Sequence, residues 1–117
     1  MVIRNVTMRN LLATAYKTNA PYGALFAADP GTADAATGEV TGGTYARVAL
    51  NWGTAASSAI VSAATPFNVP ASTTVTFFGV TAAGTAGTAD VRDSVAVTSQ
   101  NFASSGTYTV TATTTIN

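Results

Sequence analysis

The chain contains no cysteine and no histidine, and its 117 residues carry only five cations and five carboxylates. The missing thiols exclude disulfides and thiolate catalysis, and with histidine also absent the usual zinc-binding sets go too. Without imidazole there is no side chain that titrates unperturbed near neutrality, the commonest source of a general base. The formal net charge is zero, so the clustered cations that displace counterions from phosphate are lacking and nucleic acid is not an expected partner. Residues 48–89 hold no charge, yet Gly53, Pro66, Pro70 and Gly79 interrupt them, which excludes a membrane-crossing helix. Arg4 and Arg9 are not followed by an apolar run of signal-peptide type, so synthesis in a cytoplasm is expected. There is no heptad, no collagen-like period and no internal repeat, and hence no fibrous shaft within the chain.

What is abundant is small or branched at Cβ. Alanine and threonine together make about two residues in five, and threonine fits a pleated surface better than a helix. Long aliphatic side chains such as Leu11, Ile60 and Val80 are sparse, so a thin core completed by a few large residues is expected. A chain of this length forms one domain and buries roughly two-thirds of its unfolded surface.

One stretch has helical period: Met8, Leu11, Leu12, Ala15 and Tyr16, with Asn5 or Thr7 available as N-cap and Asn19-Ala20-Pro21 as the stop. Residues 22–28 read as a strand, residues 29–43 as a long loop rich in turn formers. Further strands are expected near residues 44–52, 59–63, 73–80, 91–99 and 107–116. In the last, Tyr108, Val110, Ala112, Thr114 and Ile116 share one face, and Thr107, Thr109, Thr111, Thr113 and Thr115 the other. Such a threonine row resembles an ice-binding face, but solvated threonines on an outer sheet face are the commoner case. The expected fold is mainly β: a jelly-roll-like antiparallel β-sandwich over residues 21–117, preceded by an N-terminal arm and short α-helix over residues 1–20.

Chemistry-bearing groups are few. Lys17 is a lone helix lysine. Asp90 and Asp93, three apart on a strand, point to opposite faces, and an arginine partner for Asp93 is a better expectation than hydrolysis. Asp29, Asp34 and Glu39 share one loop but lack the spacing of a calcium-binding loop, and read as turn and capping carboxylates. Asn5-Val6-Thr7 is a glycan acceptor only in a secretory pathway. Tyr45 and Arg47, two apart on one strand face, suit either a contact hot spot or a clamp in which Arg47 reaches Glu39 or Asp93; the clamp is favoured. No catalytic, cofactor or metal residue emerges. A neutral surface favours self-association, and the interface candidates are Tyr45, Arg47, Trp52, Ile60, Phe67 and Phe78. Whether the uncharged 48–89 span is core, exposed Ser/Thr surface or subunit interface stays open at this point.

The run Tyr22-Gly23-Ala24-Leu25-Phe26, then Ala28-Asp29-Pro30-Gly31, Gly38-Glu39-Val40, Gly42-Gly43 and Tyr45-Ala46-Arg47, resembles a family of short, tail-fibre-like virion proteins of tailed bacteriophages. Phe67-Asn68-Val69-Pro70-Ala71 and Phe78-Gly79-Val80 fall where that family has a proline turn and a Phe-Gly strand. The resemblance runs from Leu11 to the C-terminus. Where members carry histidine in the first strand and before the Phe-Gly pair, this chain has Phe26 and Phe77, and Thr81-Ala82 replaces an aromatic–acidic pair.

The resemblance implies a non-enzymatic structural protein on the surface of a phage particle. The first expectation is a head-decoration protein, a compact stud self-associating as a homotrimer on the major capsid protein. The second is a tail-fibre or minor tail protein that contacts a host surface glycan, with Trp52, Tyr45 and Tyr108 as the aromatics able to do so.

Overall fold

The structure, a computed structural model, describes residues 2–117; residue 1 of the expected arm lies outside the described residues. A helix, α1, spans Val6–Asn19. Asn5 caps it, its side-chain oxygen accepting from the Met8 N–H at 3.0 Å, which satisfies one of the amides that a helix start leaves free. Pro21 cannot continue the helix, and Ala20 has already left helical geometry at φ −138°. Of the helix residues only Ala13 is buried; Met8, Leu11 and Leu12, the start of the periodic stripe, stay exposed.

The strands are β1 (Tyr22–Phe26), β2 (Val48–Ala49), β3 (Ala59–Val61), β4 (Thr65–Val69), β5 (Thr73–Thr81), β6 (Val91–Phe102), β7 (Gly106–Val110) and β8 (Thr113–Thr115). Every pairing is antiparallel. A four-stranded sheet runs in the order β2-β1-β5-β6, and two ribbons, β3-β8 and β4-β7, complete the β structure. The chain is mainly β with one short N-terminal helix, as the sequence implies.

The central strands β1 and β5 of the four-stranded sheet are covered on both faces, which explains the nearly continuous apolar run of β1, whereas the edge strand β6 is mostly exposed. On one face Leu25, Phe78, Val75 and Val80 pack with Phe67 and Val69 of β4, with Leu50, and with the half-buried Tyr16 of α1. On the other, Ala24, Phe26 and Val91 are covered by Ala36 of the 27–47 connection. Phe67 and Phe78 meet edge to face with centroids 6.1 Å apart, an arrangement that aromatic quadrupoles favour.

Three local expectations are corrected. Residues 44–52 are not a continuous strand: only Val48–Ala49 pair with β1, because Asn51 turns the chain at φ 52°. Residues 65–69, where no strand is expected from the sequence, form β4; Pro66 is exposed and sits opposite Thr109 in a two-stranded ribbon, where one missing N–H is tolerated. The 107–116 strand divides, β7 pairing with β4 and β8 with β3. Its alternation nonetheless survives the change of partner. Thr107, Thr109, Thr111, Thr113 and Thr115 are all exposed and the intervening residues half-buried.

Candidate functional site

Two arrangements concentrate the polar chemistry of the chain. The first is built on Arg47, whose side chain is buried although it lies in an irregular connection. It donates from Nε and Nη2 to the two oxygens of Glu39, each at 2.9 Å, and from Nη1 to Asp90 at 2.7 Å. Two further bonds go to the carbonyls of Ala83 and Thr88. The planar five-donor fork of arginine is thereby fully used. Glu39 also accepts from the Tyr45 hydroxyl and from the Gly87 amide, and Asp90 from the Ala83 amide.

Burial alone would raise the Glu39 carboxyl, but Arg47, Gly87 and Tyr45 outweigh it and hold its pKa below the usual carboxylate value. Burial would likewise favour neutral Arg47; Glu39 and Asp90 reverse that and raise its pKa. The Tyr45 hydroxyl, desolvated and next to Glu39, is pushed up. This is the clamp expected of Arg47, with Glu39 as one partner. The other is Asp90, at the end of the 82–90 connection, and not Asp93. It ties two long loops together and presents nothing for a ligand.

The second arrangement is a cleft of about 420 Å³ between α1, β6 and residues 110–115. Tyr16 and Trp52 meet in it with ring centroids 6.1 Å apart and planes at 82°. The Trp52 Nε1–H is spent on the Ala20 carbonyl at 2.8 Å, which fixes the indole against the end of the helix. Asp93 takes the Tyr16 hydroxyl on Oδ2 at 2.8 Å and the Ser94 amide on Oδ1 at 2.9 Å. Val80, Val95 and Val97 form an apolar wall, and Ser94 and Thr111 carry hydroxyls nearby. Burial pushes the Tyr16 phenol well above its usual pKa; a Thr114 hydrogen bond opposes this, and Asp93 adds to it.

This cleft offers ring surface, an anchored carboxylate with spare acceptor capacity, and hydroxyls. Asp93 is the one carboxylate lining it among the described residues, whereas hydrolysis of a glycosidic bond ordinarily needs two flanking the bond. The expected arginine partner of Asp93 is replaced by Tyr16. Arg47 is taken by Glu39 and Asp90, and Arg92 pairs with Asp34 at the surface at 2.9 Å.

Residues 2–116 match a protein family described as Podophage GP4 fiber I protein gp80. The chain belongs to that family. No curated protein and no solved structure matches it. A phage fibre family places the chain among virion structural proteins and supports the tail-fibre expectation over the head-decoration one.

Of the interface candidates, this member of the fibre family holds Arg47, Ile60, Phe67 and Phe78 inside, each 5% exposed or less. Their side chains fill the domain. Tyr45 belongs to the clamp, and Trp52, together with the edge of the buried Phe78, lines the cleft. The uncharged 48–89 span supplies core strands β3, β4 and β5 together with exposed Ser, Thr and Ala turns. Of the aromatics weighed for glycan contact, Tyr108 donates to the Thr98 carbonyl and packs on Phe102. Tyr16, the missed member of the cleft, had its signal in the helical stripe, at the one polar-tipped position near the helix end. Asp29 accepts from the Gly31 amide in a tight turn, the local use expected of it.

Proposed function

We propose that this chain is a non-catalytic structural subunit of a phage fibre, and that the Tyr16–Trp52–Asp93 cleft holds a saccharide of the host surface. Family membership over residues 2–116 supports the fibre assignment. The absence of a shaft that suggested a capsid stud equally suits a fibre built from several copies of this 47 × 26 × 23 Å unit.

The observation that carries the saccharide reading is the pairing of aromatic rings with a carboxylate in one open cleft. Sugars present C–H faces that pack on rings and hydroxyls that donate to a carboxylate, and a cleft with few placed polar groups is the usual form of a small-molecule site. The net charge of the lining is negative, which suits neutral or amino sugars better than acidic ones.

Trp52 is the chain's single tryptophan, so its fluorescence reports on the cleft directly. Titration with oligosaccharides released from the host envelope should shift or quench that emission saturably. Asp93→Ala should weaken the binding at least tenfold, while the exposed Thr85→Ala, away from the cleft, leaves it unchanged. Saturable binding indifferent to Asp93 would overturn the cleft assignment. Finding hundreds of copies on the purified head, with none on fibres, would overturn the fibre assignment.

A further inference from the structure

The charges of the chain are segregated. Arg4, Arg9 and Lys17 precede Pro21 with no acid among them, whereas Arg47 and Arg92 face five carboxylates after it. None of the three N-terminal cations makes an ion pair among the described residues. Beside them lies an unusual amount of bare apolar surface: Val2 is 67% exposed, Leu11 60%, and Val6 and Met8 about half. Val2, Arg4, Met8 and Leu11 line one shallow groove there. A helix of this length is marginal alone, and here its first two turns, with Arg9 and Asn10 half-buried, hold no fully buried residue. An apolar patch rimmed by charge is the signature of a docking surface.

The complementary surface is on the same molecule but on its far side. The 27–47 connection carries Asp29 and Asp34, both exposed, among exposed small residues including Ala27, Ala28, Ala33 and Ala35. Ala36 of that connection packs on the Ala24–Phe26 face of the four-stranded sheet, whereas Tyr16 of α1 packs on the opposite, Leu25–Phe78 face. The sheet therefore separates a cationic apolar surface from an acidic one, and one copy cannot bring them together.

We propose that the groove of Val2, Arg4, Met8 and Leu11 receives the acidic 27–38 loop of a second copy of the chain. Pairing two helix surfaces instead would crowd six cations and two helix N-termini together. The contact is heterologous, using different surfaces on the two partners, so it repeats from copy to copy. A contact between opposite faces stacks copies along an axis. The fibre thus gains length without a shaft in the chain itself, and a ring of three results where the turn per copy closes.

The test is charge exchange, read by sedimentation velocity at about 20 mM and about 500 mM salt, where screening differs severalfold. The wild-type chain should form concentration-dependent oligomers at low salt that dissociate at high salt. R4E/R9E and D29K/D34K should each be folded by circular dichroism and monomeric, because each turns both surfaces to one sign. Their equimolar mixture should associate again. The Asp34–Arg92 pair lost in the second variant is exposed and contributes little to folding. A wild-type chain that stays monomeric at low salt overturns the proposal, as do variants that associate singly or a mixture that does not.

Discussion

The hydroxyl of Tyr16 donates to Asp93 across 2.8 Å, joining the helix to a strand 77 residues further along the chain. It is one of few polar ties between α1 and the rest of the domain, among them the Ser58 amide donating to Asn10 and Lys17 donating to the Gly53 carbonyl. Removing the hydroxyl in Tyr16→Phe should cost about 1 kcal/mol, the usual net worth of such a bond. The phenol itself reports the contact. In the wild-type chain Tyr16 should ionise later than an ordinary tyrosine, and in Asp93→Asn it should move back toward the ordinary value; ultraviolet absorbance at alkaline pH follows both. An unchanged titration in Asp93→Asn would contradict the assigned bond.

Arg47 should be the most sensitive charged position. Arg47→Ala leaves Glu39 and Asp90 buried without their cation and strands the Ala83 and Thr88 carbonyls. Breaking a buried pair in this way costs about 3–5 kcal/mol, measurable as a lowered denaturation midpoint. Arg47→Lys should recover only part of it, since an ammonium cannot reproduce the two parallel bonds to Glu39. Hydrogen exchange should show protection lost first in residues 34–40 and 82–90, the two connections that the guanidinium joins.

The same cluster sets the acid limit of stability. The folded-state pKa of Glu39 lies below its unfolded value of 4.5, so its contribution is complete above that value and disappears as pH falls through the folded one. Stability measured by urea titration should therefore hold from neutrality to about pH 5 and decline below about pH 4.5. Tyr16 and Tyr45 behave in the opposite sense. Their folded values lie above the ordinary 10.0, so the stabilisation from keeping them neutral is full below that pH and is lost as pH rises past it. In Glu39→Gln the chain should be weaker at neutrality and its acid decline shallower.

The helix bounds and the alternation of residues 107–116 were legible because each follows from a local signal: a cap followed by a 3.6-residue stripe, and a strict period of two. The clamp was legible in part. A tyrosine, an arginine and a glutamate close in sequence suggested it, but choosing Asp90 over Asp93 required knowing where the 82–90 connection lies, which depends on β5 pairing with the distant β1. The cleft was not legible as a unit. Tyr16, Trp52 and Asp93 come from a helix, an irregular segment and a strand, and only tertiary packing brings them together. Phe67, Ile60 and Phe78 show the limit from the other side, since an uncharged stretch reads alike whether it fills a core or meets a neighbour.

The two glycines of the Tyr-Gly and Phe-Gly pairs give a final prediction, because they hold opposite faces of one sheet. Gly23 lies opposite Val80, and a Cβ there would stand 2.8–2.9 Å from Phe67, Leu50 and Phe78. Gly79 lies opposite Ala24, and its Cβ would stand 2.6 Å from the Phe26 ring. Neither has a positive φ, so the requirement is space and not backbone conformation. Gly79→Ala should cost about 1–3 kcal/mol by overpacking, and shortening the obstructing ring in Phe26→Leu should offset part of it. Gly23→Ala faces three neighbours at once, so Phe26→Leu, on the other face, should leave its cost unchanged. Thermal melts of the wild-type chain, the three single variants and the two double variants measure the two couplings. A coupling of Phe26 to Gly23 equal to its coupling to Gly79 would contradict the assignment of the two glycines to opposite faces.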